Sequence, residues 1–311
     1  MNKGLTAVVT GALGHIGSRL IRELPRSLVK NIILLDNLES QRYCSLFDLP
    51  DYFNYKFIEA DIRTADLDKI FSGADLVVHL AAITNAEASK GREAEVEAVN
   101  LEGLKRVADA CQRASIKLFF PSTTSVYGSQ EKRVDENCQE LKPQSPYAES
   151  KLAAEKYLQD LSKKGLRCSI CRFGTIFGYS VGMRFHTAVN KFSWQAMNGL
   201  PLTVWKTAWR QKRPYLYLGD CVKAVNFIIE KDLFNGEIYN VLTENFTVEN
   251  IVDGIKKFIP NAAVNYVDSP IMNQLSYEVE DTKIRTLGFL TEGNLNDGLA
   301  ETFNKMKKIW K

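Results

Sequence analysis

The residues of this chain best suited to chemistry are a tyrosine and a lysine four positions apart. Tyr147 and Lys151 stand in the segment PYAESKLAAEK, where a proline followed by helix-forming residues predicts the start of a helix. Residues four apart lie on one face of a helix, so we expect the phenol and the ammonium group to be neighbours. A nearby ammonium group favours the phenolate and lowers the pKa of a tyrosine from its usual ~10. Such a tyrosine can take a proton from a substrate hydroxyl while a nicotinamide accepts the hydride.

A hydroxyl-rich segment precedes this pair. The run PSTTSVYG, which contains Ser122 and Thr123, follows the apolar segment 116–120, and that segment predicts a strand. A tyrosine and lysine at this spacing are weak evidence alone, because both residues are common in helices. Together with the hydroxyl-rich strand end and a glycine turn near the N-terminus, they strongly indicate hydride transfer.

That glycine turn follows a short β-branched run at residues 7–10. Gly11, Gly14 and Gly17 follow the run, and an amphipathic helix pattern begins at His15 and Ile16. A strand, glycine turn and helix in this order offer backbone N–H groups and a positive helix end to a diphosphate. The alternative is that the glycines only let a helix pack closely on a strand.

An acidic residue at the end of the second apolar run favours the nucleotide interpretation. Asp36 follows Gly17 by 19 residues, close to the ~20-residue offset expected for an acid that binds a ribose. A carboxylate there accepts hydrogen bonds from ribose hydroxyls and repels a 2′-phosphate. The pattern therefore favours NAD over NADP.

Strand and helix patterns alternate over the first ~120 residues, which predicts an α/β fold with a doubly wound parallel sheet. Ligands of such a sheet bind beyond the carboxyl ends of the strands. One long helix pattern spans residues 91–114 and carries Asn100. We find no linker, repeat or low-complexity segment, so a second, smaller lobe would be interleaved with the first.

Composition and charge argue against several kinds of partner. The chain has 311 residues and a formal net charge of +3 without a long basic cluster, so we expect no nucleic-acid partner. No apolar run reaches the ~18–20 residues of a membrane span, and the N-terminus lacks a signal-peptide pattern, so a cytoplasmic location is expected. The six cysteines are predicted to be packing thiols, and no metal site is expected.

With these residues, the chain resembles the extended short-chain dehydrogenase/reductase family. The best match is its NAD-dependent epimerase/dehydratase branch, which acts on nucleotide sugars. The resemblance covers most of the chain and weakens after about residue 245. The motifs that carry it are Thr10-Gly11-x-x-Gly14-x-x-Gly17, Asp36, Asp61-Ile62, His79-Leu80-Ala81-Ala82, Asn100, Ser122-Thr123, Tyr147-x-x-x-Lys151, Arg172-Phe173-Gly174, Gly199-x-Pro201-Leu202-Thr203-Val204, Arg213 and Asp220.

The resemblance implies NAD as the cofactor and assigns residues to each of its parts. The three glycines would hold the pyrophosphate, Asp36 would bind the adenosine ribose, and Asp61 and Ile62 the adenine. His15, Ile16 and Asn37 would also bind the cofactor. The remaining assignments are Leu80, Ala81 and Ala82 along the cofactor, Asn100 as a support of the site, and Lys151 with Tyr147 at the nicotinamide ribose.

The resemblance also implies catalytic and substrate-binding roles. Thr123 would hydrogen-bond the reacting hydroxyl, Tyr147 would be the general base and acid, and Lys151 would adjust the pKa of Tyr147. The substrate would be a nucleotide-diphosphate sugar. The residues assigned to it are Thr84, Thr124, Thr175, Lys191 and Arg213.

One departure from the family pattern narrows the reaction. Sugar 4,6-dehydratases typically carry Asp-Glu after the catalytic threonine, whereas this chain has Thr124 and Ser125. A hydroxyl is not a carboxylic acid near neutrality, so dehydration is disfavoured. His186 could be a substitute acid, but a surface histidine at a helix start is the favoured interpretation.

The prediction is therefore an NAD-dependent nucleotide-sugar epimerase or oxidoreductase that abstracts a hydride at sugar C4 through a 4-keto intermediate. A C4 dehydrogenase or 4-reductase without epimerisation is the alternative, and a non-catalytic NAD-binding regulator is a third possibility. The resemblance implies a homodimer through the helices at 91–114 and 147–163. It also implies an NAD-binding Rossmann domain (1–174 and 215–243) and a nucleotide-sugar lobe (175–214 and 244–311).

Overall fold

A seven-stranded parallel sheet is the centre of the structure, a computed structural model that describes residues 4–86, 89–268 and 276–307. With strands numbered along the whole chain, the sheet order is β3-β2-β1-β4-β5-β6-β10. These strands are β1 (Leu5–Thr10), β2 (Val29–Asp36), β3 (Asn54–Glu59), β4 (Leu76–His79), β5 (Lys117–Thr123), β6 (Cys168–Phe173) and β10 (Ile238–Val241).

Helices cover both faces of this sheet, because side chains alternate along each strand. Ala7 and Val9 of β1 pack into one apolar core, while Val8 packs into another on the opposite face. The first core includes α1 (His15–Glu23) and α7 (Leu218–Glu230), and the second includes α2 (Leu67–Phe71), α4 (Gly103–Arg113) and α5 (Pro146–Lys163). The predicted doubly wound α/β fold is confirmed.

The helix pattern at 91–114 forms two helices joined by a π turn. α3 (Glu93–Glu97) begins two residues later than expected, and α4 follows residues 98–102, which are wound as a π-helix. Residues 93–113 are therefore helical throughout, as the pattern predicts, with a π segment in the middle. A π turn adds a residue to the helical repeat and shifts the side chains that follow. Asn100 lies inside it and is 2% exposed.

A smaller α/β lobe has its own apolar core, which includes Phe177, Phe192, Phe246 and Phe303. In one of its sheets β9 lies between β11 and β7, and in the other β8 pairs with β12. The strands are β7 (Thr175–Phe177), β8 (Leu202–Trp205), β9 (Arg213–Tyr217), β11 (Glu244–Phe246) and β12 (Val264–Val267). Its core helices are α6 (Ala188–Met197), α8 (Val248–Lys256) and α10 (Leu295–Met306), whereas α9 (Thr282–Thr286) contacts β10. None of the helices in the described ranges is long and apolar enough to cross a bilayer.

The strand order reverses between β1 and β4, which opens a crevice at their carboxyl ends. A buried contact joins the two strands there, since Thr10 Oγ1 lies 2.8 Å from His79 Nδ1. Burial and the nearby charge of Lys151 lower the pKa of His79 to about 3. The ring is therefore neutral at physiological pH.

We predict that His79→Gln makes the fold less sensitive to acid. Below pH 6.5 the unfolded chain binds a proton that the folded His79 ring does not, so stability falls as the pH drops from about 6.5 towards 3. Between pH 7 and pH 5 the variant should lose about 2 kcal/mol less unfolding free energy than the wild type. Urea unfolding at the two pH values measures the difference. An equal loss in both proteins would show that His79 is not the group responsible.

Candidate active site

The glycine turn after β1 brings three backbone segments into close contact. Gly11 has a φ of 65°, and a Cβ on it would lie 2.6 Å from the backbone nitrogen of Ala81. A Cβ on Gly17 would lie 2.5 Å from the carbonyl oxygen of Gly11. A Cβ on Gly14 would meet only Gly11 O at 3.3 Å and Arg42 Nη1 at 4.0 Å. Gly11 and Gly17 therefore allow the packing, while a Cβ on Gly14 would be crowded only by Gly11 O and would otherwise face the cavity at the N-terminus of α1.

The acidic residues predicted for the nucleoside lie at the carboxyl ends of β2 and β3. The Asp36 carboxylate is buried and accepts the backbone N–H groups of Leu13 at 3.1 Å and Leu38 at 3.0 Å. Asp61 accepts a 2.6 Å hydrogen bond from the Arg63 guanidinium, which holds the pKa of that carboxyl at about 2. Asn37 contacts Asp61 at 3.4 Å. Both carboxylates are thus fixed by neighbours at this edge of the sheet.

β5 and α5 bring the three predicted catalytic side chains together. Thr123 ends β5, and Tyr147 and Lys151 lie on the first turns of α5, which Ser145 caps by accepting the N–H of Ala148. Lys151 is 4% exposed, and its Nζ donates to the carbonyl oxygen of Pro121 at 2.8 Å. This bond attaches the helix to the strand one residue before Ser122.

Burial controls the protonation of this group. It raises the pKa of Tyr147 above its usual value, and the charge of Arg184 and a hydrogen bond with Thr123 act in the opposite direction. Burial also lowers the pKa of Lys151 to about 7. In the cofactor-free chain, burial has the largest effect on the pKa of Tyr147 and the cation that lowers it is Arg184, so the role predicted for Lys151 stays a prediction.

A buried ion pair holds α5 against the sheet. Glu155, one turn after Lys151, accepts hydrogen bonds from Ser122 Oγ and from Arg172 on β6, whose Nη2 lies 2.7 Å away. Glu155 is 1% and Arg172 3% exposed. The guanidinium of Arg172 also lies over the ring of Tyr127, 4.9 Å from its centroid. The strand and the helix that carry the predicted catalytic residues are thus connected directly.

The glycine turn and the three predicted catalytic residues border one cavity of about 440 Å³ between the sheet and the smaller lobe. Fourteen of the residues selected from the sequence line it. They are Gly11, Gly14, His15, Ile16, Gly17, Leu80, Ala82, Thr84, Thr123, Tyr147, Lys151, Thr175, Lys191 and Arg213.

Seven selected residues lie outside this lining. Asp36, Asn37, Asp61 and Ile62 lie at the β2–β3 edge, and Ala81 packs against Gly11. Asn100 fixes the loop after β4: its amide accepts the N–H of Ile83 at 2.8 Å and donates to the carbonyl oxygen of Ile83 at 2.9 Å. Thr124 is 1% exposed, and its hydroxyl lies 3.3 Å from both Phe173 O and Tyr277 Oη, so Ser125 lines the cavity instead.

Two arginines of the cavity, Arg42 and Arg184, are not among the residues that the sequence analysis assigned to the cofactor or the substrate. Arg184 donates to the Thr84 hydroxyl across the cavity, and its Nε has no partner among the described residues. Arg42 also lines the cavity. His186 also lines the cavity. Partial burial from solvent and the charges of Arg184 and Arg42 lower its pKa to about 4, so it is neutral at pH 7. Arg42 and Arg184 lie on irregular segments without a periodic pattern, so only their positive charge could have indicated them.

Comparison with known proteins gives the family. The sequence profile of the NAD dependent epimerase/dehydratase family matches residues 7–241. The chain belongs to this family. It is 34% identical to YtcB of Bacillus subtilis, described as an uncharacterised UDP-glucose epimerase, over 97% of this chain and 98% of that protein. It is 29% identical to the dTDP-D-glucose 4,6-dehydratase of Bos taurus, over 95% of this chain and 86% of that one.

A solved structure agrees with this assignment. UDP-glucuronic acid 4-epimerase from Bacillus cereus, in complex with UDP-glucuronic acid and NAD, superimposes with a TM-score of 0.88 at 25% identity. The match covers 98% of this chain and all of that one. The expected family and NAD as its cofactor are confirmed.

The residues of this epimerase/dehydratase-family member fit NAD. Gly14 leaves room where a diphosphate meets the N-terminus of α1, which comprises nine residues. Asp36 lies at the ribose position of the nucleotide-binding pattern, and the described lining has no acidic side chain that would repel phosphates. The glycine turn and Asp36 would hold the dinucleotide, and Tyr147 and Lys151 would contact its reactive end.

We predict different effects for alanine at the two glycines. Gly17→Ala should lower the unfolding free energy by about 1–3 kcal/mol, because its methyl group overlaps two backbone oxygens at 2.5 and 2.6 Å. Gly14→Ala should leave the stability of the cofactor-free protein nearly unchanged and weaken NAD binding, because its methyl group fills the open space. Urea unfolding and calorimetric titration with NAD separate the two effects. Equal NAD affinity in Gly14→Ala and wild type would contradict a diphosphate at this position.

Proposed function

We propose that this protein is a UDP-sugar 4-epimerase. The observation that carries the proposal is the cavity itself, in which Thr123, Tyr147 and Lys151 share a lining with the glycine turn. The similar Bacillus proteins are both described as epimerases of UDP sugars, which supports UDP as the nucleotide. The homodimer and the predicted domain limits, which rest on the resemblance, and the cytoplasmic location expected from the sequence remain part of this proposal.

In this reaction Tyr147 is the acid and base for the C4 hydroxyl. Bound NAD supplies the acceptor and donor of the C4 hydride. For this step Tyr147 must be the phenolate, which the charge of Arg184 favours against the effect of burial. The phenolate takes the hydroxyl proton as the sugar is oxidised and returns it after the ketone has turned its other face. Thr123 orients the same hydroxyl, and Arg184 stabilises negative charge on the phenol oxygen, as its lowering effect on the pKa of Tyr147 indicates.

The composition of the cavity favours epimerisation over dehydration. A 4,6-dehydratase needs an acid for the departing C6 hydroxyl and a base for the C5 proton. Of the residues that the structure describes, the cavity lining includes no Asp or Glu, and the position after Thr123 is a buried threonine. His186 does not replace such an acid, because its pKa of about 4 leaves it without an acidic proton at neutrality.

Arg184 supports a uronic acid as the sugar. Its guanidinium is near Tyr147, where the sugar ring must react, and it combines an unpartnered Nε with a hydrogen bond to Thr84. Arg184 itself is half-buried, but a buried donor such as its Nε is costly when it has no partner, and a substrate carboxylate would supply one. The similar Bacillus cereus structure contains UDP-glucuronic acid, which is such a substrate.

We predict that the wild type interconverts a UDP-sugar and its C4 epimer, and that Tyr147→Phe turns over at least about 100-fold more slowly. The test incubates each protein with UDP-glucuronic acid, UDP-glucose, UDP-N-acetylglucosamine and dTDP-glucose in deuterated water and follows proton NMR. Tyr52→Phe is the matched control, since its hydroxyl donates to Arg22 O at 2.8 Å and lies outside the cavity lining.

The isotope pattern identifies the reaction. An epimerase returns the same hydrogen to C4, so neither C4 nor C5 should acquire deuterium. Deuterium at C5 would indicate a dehydratase, and stoichiometric NADH release would indicate a dehydrogenase. NAD binding without turnover of any of these sugars would indicate a regulator.

We predict that Arg184→Gln reduces kcat/KM for UDP-glucuronic acid by at least about tenfold more than for UDP-glucose, because only the former loses a charge-assisted hydrogen bond. Steady-state kinetics with both substrates measures the ratio. Lys206→Gln is the control, because this exposed lysine pairs with Asp268 at 2.9 Å and lies outside the cavity lining. Equal losses for both sugars would instead assign Arg184 to a shared step, through Tyr147 or the diphosphate.

A further inference from the structure

Arg42 is a half-buried cation beside the glycine turn. It lines the cavity, and its Nη1 lies 4.0 Å from the position that a Cβ on Gly14 would take. Within the described ranges its guanidinium makes no hydrogen bond, ion pair or ring contact. Its donors are therefore available to whatever binds above Gly14.

The backbone that carries Arg42 is held firmly in place. The short 3-10 helix Tyr43–Leu46 follows it, and Ser45 Oγ donates to the carbonyl oxygen of Leu13, inside the glycine turn, at 2.9 Å. Arg22 of α1 donates to the carbonyl oxygens of Ser45 at 3.0 Å and Phe47 at 2.6 Å. The main chain is thus attached to the cofactor helix, while the end of the Arg42 side chain makes no bond of its own.

A second buried group at this place is also without a partner. His15 is 4% exposed, and its Nε2 donates to the carbonyl oxygen of Gly178 at 2.8 Å. The ring is neutral because burial and the charges of Arg184 and Arg42 lower its pKa to about 3. Its Nδ1 is then a bare acceptor with no partner among the described residues. The guanidinium donors of Arg42 can hydrogen-bond to phosphate oxygens, and the Nδ1 acceptor of His15 can accept a hydrogen bond from a ribose hydroxyl.

The charge at this place matches an anion. Arg42 and Arg184 line the same cavity, and the positive charge of each lowers the pKa of both His15 and His186. The positive end of α1 has the same sign. Asp36 accepts the backbone N–H groups of Leu13 and Leu38, and within the described ranges it makes no ion pair with Arg42.

We propose that Arg42 binds the phosphates of NAD and, with the N-terminus of α1, retains the cofactor. The guanidinium adds charge-assisted hydrogen bonds to those that the backbone N–H groups of the glycine turn can make. The proposal rests on the NAD site of the family and not on the sugar reaction. Failure of the 4-epimerase proposal would therefore leave it intact.

The experiment measures nucleotide binding without turnover. Calorimetric titrations of cofactor-free wild type, Arg42→Gln and Arg42→Lys use adenosine, ADP, NAD and NADP. NAD carried through gel filtration is quantified separately after denaturation. Arg167→Gln is the matched control, since that half-exposed arginine pairs with Asp232 at 2.8 Å and lies outside the cavity lining.

Arg42→Gln should bind ADP and NAD about tenfold or more weakly, with adenosine affinity unchanged and Arg42→Lys intermediate. The control should match the wild type, and the salt dependence of ADP binding should be smaller in Arg42→Gln than in the wild type.

Unchanged ADP affinity in Arg42→Gln would overturn the proposal, as would an equal loss of affinity for adenosine. Wild-type preference for NADP, lost in Arg42→Gln, would assign Arg42 to a 2′-phosphate and also overturn it. If Arg42→Gln does not fold, the Arg42→Lys titrations test the proposal. Weaker ADP binding with unchanged adenosine affinity supports it, and unchanged ADP affinity overturns it. In the wild type, ADP binding should weaken more with added salt than adenosine binding.

Discussion

The buried carboxylate of Glu155 is the constraint on which the active site depends. It joins three elements, because it lies on α5 and accepts hydrogen bonds from Ser122 of β5 and Arg172 of β6. Lys151, one turn earlier, adds a bond to Pro121 O. Removing one partner of such a buried pair typically costs about 3–5 kcal/mol. The alignment of Thr123 with Tyr147 is therefore enforced by the buried Glu155 pair together with the bond from Lys151 to Pro121 O.

The same burial that aligns these residues sets their protonation. The Tyr147 phenol is kept neutral in the chain by itself, and the pKa of Lys151 falls to about 7. The opposing positive charge comes from Arg184, which belongs to the smaller lobe and reaches Thr84 beyond β4. The lobe thus acts on the reacting centre electrostatically as well as by forming a wall of the cavity.

Much of the site could be predicted because its residues are close in sequence or have fixed spacing. The glycine turn, Asp36 and the Tyr147–Lys151 pair each follow from strand and helix geometry and from offsets within one βα unit. Thr124 illustrates where such reasoning stops. It adjoins Thr123, but the 3-10 helix that begins there turns its hydroxyl towards Tyr277, 153 residues away. Sequence spacing does not specify that rotation.

The sequence by itself determined the doubly wound sheet, because hydrophobic periodicity encodes its strands and helices, and its motifs resemble a family that uses NAD, which is the basis for proposing Tyr147 as the catalytic tyrosine. Only the tertiary structure decided which cations meet at the cavity. Arg42 and Arg184 are 142 positions apart on irregular segments, yet both act on His15. It also decided that burial, rather than Lys151, dominates the pKa of Tyr147. The physical reason is that desolvation and charge depend on what surrounds a group in space, and residues distant in sequence provide those surroundings.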